Sequence, residues 1–415
     1  MRFPGTTHLV ALASVSLGVA CAPVAGTPFA APSDDPAAWD VATGVRYTPK
    51  LGAPTWLVPS RSLPDAIEVQ ISNNNVDIEL FGDRLFMAWR TGPTHWASSR
   101  TTMHVVSSRN GGVSWDHELT VDLDTDLREP RLVQMHGELQ LLFFEAGDNM
   151  FAFEPRALWR SFRRGSAQWT ALEEWGEAGE VPWDVKVRGG VAYLTTYKGN
   201  HYQTGPSDIS VRFYRSDDAR SWRPVGERAE VYRGGCSEAA IEFMSDGSLW
   251  AVLRNEDGDA TGFGSLLCRA PANDLGHWDC ARRSDPRRYD SPELIRHGDS
   301  LYLLARRDVG GHYDQGPSKI SVSERRLTNM IDYWNRPKRT ALYLVDTAQR
   351  RVRWLQDLPS AGDTAFPSAR RLDTHTFLVA NYTSPVDDLD RSWLRGQGAD
   401  DGTDIYALLL HFESP

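Results

Sequence analysis

An all-β fold, a six-bladed β-propeller, follows from three features of this 415-residue chain: a repeat near 50 residues, one strand-like apolar run per repeat, and turn residues at matching places. The turn marks Gly82, Gly137, Gly189, Gly247, Gly298 and Asp373 recur at intervals of 55, 52, 58, 51 and 75 residues. Behind them come Leu85 to Trp89, Leu139 to Phe144, Val191 to Thr196, Leu249 to Leu253, Leu301 to Ala305 and Thr376 to Ala380. These runs end on Arg90, Glu145, Tyr197, Arg254, Arg306 and Asn381. Each blade packs only on its neighbours, so one domain over residues 41–415, with about 24 strands, accommodates the length. Inner strands of a propeller converge on one axis, and polar residues at matching places in the blades meet there. The strand openings offer Asp77, Glu129, Asp184, Glu238, Asp290 and Asp363 to that hub.

The segment ahead of the first repeat reads as an export leader. Arg2 is followed by an apolar stretch, Leu9 to Ala20, too short to cross a bilayer, so residues 1–21 are expected to be a signal peptide. Gly18-Val19-Ala20-Cys21 is similar to a bacterial lipobox, which would make Cys21 a lipid attachment site and the product a membrane-held lipoprotein. Ordinary cleavage at the same small residues, giving a periplasmic or secreted protein, is the alternative. Residues 22–40, rich in Ala and Pro, read as a disordered tether. A membrane partner is thus expected only through the lipid. A net charge of −10 without a basic run weighs against nucleic acid. No cofactor and no metal are expected, and the propeller is expected to be a monomer. Of the 4 cysteines, Cys268 and Cys280 flank a turn-rich stretch and suit a hairpin disulfide, while Cys236 reads as a buried small side chain.

Ser108-Arg109-Asn110-Gly111-Gly112-Val113-Ser114-Trp115 matches the Asp-box turn, with a degraded copy at Asp217 to Trp222 in which Ala219 stands where Gly is usual. On these residues the chain resembles the sialidase-like (BNR/Asp-box) propellers. A second segment carries the resemblance into blade four: Ser237-Glu238-Ala239-Ala240-Ile241-Glu242-Phe243, with the strand closing on Leu253-Arg254-Asn255. The resemblance implies that Glu238 polarises a nucleophile and that Arg254 clamps a substrate carboxylate, with Arg306 or Arg307 as a further arginine. Departures accompany it. Asn73 to Ile78 lacks the family's first arginine, Thr91 to Met103 holds no acid but only His95, and Phe366 stands where the tyrosine nucleophile belongs. True sialidase chemistry is therefore not the expectation.

Several carboxylates around one axis are what glycoside hydrolysis requires, one protonated acid for the leaving oxygen and one ionised partner. Glu238, Glu129 and Asp363 are the candidate catalytic residues. Arg254, Arg306, Arg90, Arg131, Asp184 and Tyr382 are the candidate substrate binders, the arginines suggesting a locally positive pocket for a glycan or small sugar. Arg128-Glu129-Pro130-Arg131 is also similar to the Arg-Asp-Pro element of five-bladed furanosidases, which implies an orienting or tuning role for Glu129. The acids Glu256, Asp257 and Asp259 form a weak cation-binding pattern. A non-catalytic glycan-binding or cell-surface propeller is the competing expectation.

Overall fold

The computed structural model describes residues 44–203, 205–313 and 319–415. The leader, Cys21 and the tether expected within residues 1–40 lie outside the described residues. Two short strands, β1 (Thr48–Leu51) and β2 (Thr55–Val58), precede six repeated sheets. Blade one is β3 (Ser72–Phe81), β4 (Arg84–Gly92), β5 (Thr102–Ser108) and β6 (Asp116–Val121). Blade two is β7 (Leu127–Met135), β8 (Glu138–Glu145), β9 (Leu158–Arg164) and β10 (Glu173–Trp175). Blade three runs from β11 (Val181–Arg188), β12 (Val191–Gly199) and β13 (Ile209–Ser216) to an outer edge split into β14 (Arg223–Pro224) and β15 (Glu230–Gly234). Blade four is β16 (Cys236–Phe243), β17 (Leu249–Asn255), β18 (Leu266–Ala270) and β19 (Asp279–Cys280). Blade five holds β20 (Tyr289–His297), β21 (Ser300–Asp308), helix α1 (Val322–Asn335), β22 (Lys338–Asp346) and β23 (Arg351–Asp357). Blade six holds β24 (Ser368–Arg371), β25 (Thr376–Thr383), helix α2 (Trp393–Gln397) and β26 (Asp404–Glu413).

Six sheets, not five, surround the axis. Both β1 and β2 pair antiparallel with β26, so the start of the propeller supplies the outer edge of its last blade and closes the ring. The split edges of blades three and six bring the described strands to 26, against the expected 24 or so. The five glycines marking the repeat sit between the first and second strands of their blades at φ between 56° and 78°, where an L side chain is strained. The 75-residue interval is explained by α1, inserted between β21 and β22. Its Ser321–Glu324 capping box starts the helix, and Tyr333 fastens it to the blade side.

Apolar faces interdigitate between neighbouring sheets, as where Ile78, Trp89, Tyr382 and Ile405 pack between blades one and six. Polar clips add register to this packing. Asp77 accepts from the Leu132 amide at 2.6 Å, Asp184 from the Ile241 amide at 2.8 Å, and Glu238 from the Ser291 amide at 2.7 Å, each reaching the next blade. The turn at Asn110 is held by Ser114 N donating to Asn110 Oδ1 at 2.9 Å, and that at Asp218 by Ser221 N at 2.7 Å, with Ala219 at φ 54°. A turn of similar form at Asp346, whose Oδ1 accepts from the amides of Ala348 and Gln349, was not legible in the sequence. Cys268 and Cys280 are disulfide-bonded across β18 and β19. Among the described residues no helix is long and apolar enough to cross a membrane.

Candidate active site

Five of the six inner strands share an irregularity. Register shifts fall between Asn74 and Asp77, Arg128 and Arg131, Pro182 and Asp184, Cys236 and Ala239, and Asp290 and Glu293. An added residue re-aims the side chains around it. Asn75, Glu129 and Ser291 consequently take φ of 49°, 54° and 49°, a region that costs a non-glycine residue about 1–3 kcal/mol. Antiparallel pairing places these openings beside the ends of the second strands, as in Asn74 with Arg90 and Asp290 with Arg306. One end of the axis therefore gathers most of the polar candidates.

Glu129 and Glu238 come together there in contrasting surroundings. Glu129 Oε2 accepts from Asn75 Nδ2 at 3.1 Å, and Oε1 has no hydrogen-bond partner among the described residues. Burial pushes its carboxyl up to about 7; Arg131 opposes this and the charge of Glu238 adds to it. Glu238 is instead held at both oxygens, by Arg254 Nη1 at 2.6 Å and by the Ser291 amide. Tyr197, whose hydroxyl makes no hydrogen bond among the described residues, is held far above its ordinary value by burial and by these two acids.

The arginines form a balanced network. Arg254 contacts Glu238, Glu256 and Asp290 and donates to the Tyr202 hydroxyl at 3.2 Å. Arg288 pairs with Asp290 at 2.6 Å and with Glu256 at 3.1 Å. Burial alone would raise Glu256 and Asp290, but Arg254 and Arg288 outweigh it and hold both below the usual carboxylate range. Arg306 donates to Thr364 O at 2.6 Å, Ser291 Oγ at 3.1 Å and Tyr333 Oη at 3.3 Å, with Trp393 stacked 4.8 Å away. Three guanidinium groups thus face three carboxylates, which corrects the expectation of a positive pocket at Arg254 and Arg306. The acids of the supposed cation pattern have protein partners: Glu256 as above, Asp257 with His201 at 3.0 Å, and Asp259 with Tyr232.

Four further candidates are placed differently from their expected roles. Arg90 is fully buried, bonded to Asp126 at 2.7 Å and to the Thr94 and Trp96 carbonyls, and leaves nothing for a substrate. Asp184 is the inter-blade clip already described. Tyr382 is buried with its hydroxyl donated to Asp363 Oδ1 at 3.0 Å, so it is not a free phenol. Asp363 itself is wholly buried and also accepts from Trp393 Nε1 at 3.0 Å, while its Oδ2 lies 2.7 Å from His95 Nδ1. It can orient a neighbour but cannot reach a substrate.

The floor is aromatic. Phe366 and Trp183, from blades six and three, meet edge to face with centroids 5.1 Å apart. The Arg131 guanidinium lies over both, 4.4 Å and 4.8 Å from the rings, and has no ion pair within 4 Å among the described residues. Phe366 and Trp183 are 4% and 2% exposed, so both rings are packed among the inner strands. Sequence reasoning missed Asn75, Ser291, Trp183, Tyr333 and Trp393, whose roles depend on bulges and helical insertions without a local pattern. A surface hollow of about 740 Å³, lined by Arg287, Arg307 and Trp354 at blade five, contains neither Glu129 nor Glu238.

No protein-family model matches the sequence, and no curated protein matches it. Solved structures do match its fold. A Dyadobacter fermentans protein of unknown function is 13% identical, with 88% of this chain and 99% of that one covered and a TM-score of 0.56. Phage phi92 endosialidase is 10% identical over 83% of this chain and 68% of its own, with a TM-score of 0.56. Trypanosoma rangeli sialidase is 12% identical, with 90% and 60% covered and a TM-score of 0.54. The chain spans about three fifths of that sialidase. The architecture is that of a sialidase-like six-bladed propeller.

Proposed function

We propose that this chain is a glycoside hydrolase acting on a glycan without a tyrosine nucleophile. The observation that supports the reading most is the contrast between Glu129, pushed up to about 7 by burial so that it still holds a proton in about half the molecules at neutral pH and has one oxygen unbonded, and Glu238, whose oxygens are both held by donors. Two carboxyl groups whose surroundings separate their roles are the usual arrangement of acid and ionised partner. Glu129 gives its proton to the leaving oxygen, and the charge of Glu238 stabilises the oxocarbenium-like sugar. Tyr202, 41% exposed and stacked on His201 at 3.7 Å, offers a ring face to the apolar side of a pyranose. Export, read from residues 1–21, is part of the proposal and places the substrate outside the cytoplasm.

Turnover of a panel of aryl glycosides and polysaccharides tests this. Wild type should hydrolyse at least one member, and Glu129→Gln and Glu238→Gln should each lower kcat at least 100-fold. The filling of the hub by Phe366 and Trp183 favours a second reading, a glycan-binding propeller without turnover. Binding of a panel member with no hydrolysis by any of the three proteins would establish it.

A further inference from the structure

Resting on that hydrolase reading, we infer that His95 is the base of the reaction, its Nε2 taking a proton from the attacking water while Asp363 holds the ring. Glu238 is poorly placed for this task because both its oxygens already accept hydrogen bonds. His95 is fixed from blades two and six: its amide donates to the Gln397 carbonyl at 3.2 Å, its carbonyl accepts from Arg128 Nη2 at 2.6 Å, and Nδ1 meets Asp363 at 2.7 Å. The hydrogen-bond network assigns the proton to Nδ1, which leaves Nε2 an acceptor. Nε2 has no partner among the described residues, and 13% of the side chain is exposed, whereas Asp363 is wholly buried. A buried carboxylate that orients a partly exposed imidazole is the arrangement by which a general base is held in one tautomer.

His95 is tied to the two inner strands, β3 and β7, that also hold Glu129. Asn74 approaches His95 Nδ1 at 3.4 Å while Asn75 binds Glu129, and Arg128 binds the His95 carbonyl while its neighbour is Glu129 itself. The step balances without a further reactant. Water loses a proton to Nε2 and its oxygen bonds the anomeric carbon; the glycosidic C–O bond breaks, and its electrons take the Glu129 proton. A single displacement inverts the anomeric centre.

The charged and titratable groups facing His95 are Asp363, Arg128, Arg90 and Tyr382. Burial and the two guanidiniums hold its ring below the ordinary value against the pull of Asp363, so the ring is neutral at pH 7. The activity profile should therefore rise through a His95 limb below pH 6.5 and fall through a Glu129 limb near 7. His95→Asn keeps a donor toward Asp363 but removes the base; kcat should drop about 100-fold or more with sugar affinity nearly unchanged, and the acid limb should vanish. On wild type itself, proton NMR of the first-formed sugar should show inversion. Retained configuration, or a His95→Asn protein with wild-type kcat and an intact acid limb, overturns the inference alone. Absence of any wild-type turnover defeats the hydrolase reading and this inference together.

Discussion

Replacing Glu129 by Gln should make the protein more stable at alkaline pH while weakening its activity. Glu129 is 8% exposed and sits in a left-handed bulge, with burial raising its carboxyl from 4.5 to about 7. That change corresponds to about 3 kcal/mol. Below pH 4.5 the folded and unfolded chains both carry the proton. Between 4.5 and 7 the unfolded chain releases it while the folded chain keeps it, so stability falls across that window and stays lower above it. Glutamine mimics the protonated acid at every pH and escapes the loss. The two proteins should have similar unfolding free energies at pH 4, and the variant should be ahead by about 3 kcal/mol at pH 8. Urea unfolding at a series of pH values measures this. Glu293, raised to about 7 by burial beside Asp184 despite Lys186, titrates in the same range, so the difference between the proteins isolates Glu129. A difference constant from pH 4 to pH 8 would refute the assignment of a buried, proton-holding acid.

Three other perturbations test the surrounding structure. Arg254→Met strips a guanidinium from Glu238, Glu256 and Asp290 and should destabilise by about 3–5 kcal/mol at pH 7, with part of the loss recovered in acid, as urea midpoints will record. Phe366→Ala opens the hub and removes the contact with Trp183 and the face under Arg131; a loss of about 3–5 kcal/mol is expected, and an unchanged thermal midpoint would mean the ring does not close the axis. Reducing Cys268–Cys280, which joins residues 12 positions apart in blade four, should cost about 2–4 kcal/mol, whereas Cys236, buried with its thiol pushed up, should resist alkylation in the folded protein.

The propeller was legible because its signals are local and repeated. A glycine turn between two apolar runs needs no distant partner, and five of them in phase with the turn at Asp373 define the sheets. The disulfide and the Asn110 and Asp218 turns were equally local. The candidate site was readable only in part. Glu129 and Glu238 lie at strand openings that the repeat locates, but Arg90 and Asp184 occupy matching places and turn out to be occupied inside the framework by Asp126 and by the Ile241 amide. His95 was visible only as a residue standing where an acid is absent. Its meaning depends on Asp363, 268 positions away.

What the chain's sequence determined by itself is the repeat: where sheets begin, where they turn, and which acids and arginines sit near the hub. Tertiary structure decided the rest, because charge and access are properties of surroundings. Bulges with positive φ chose which side chains face the axis. Three carboxylates neutralised the arginines that looked free, and α2 with Tyr382 and Trp393 enclosed Asp363 so that it faces a histidine rather than a sugar. Sequence spacing sets which residues arrive at the hub, but the low dielectric and neighbouring dipoles found only after folding assign their protons.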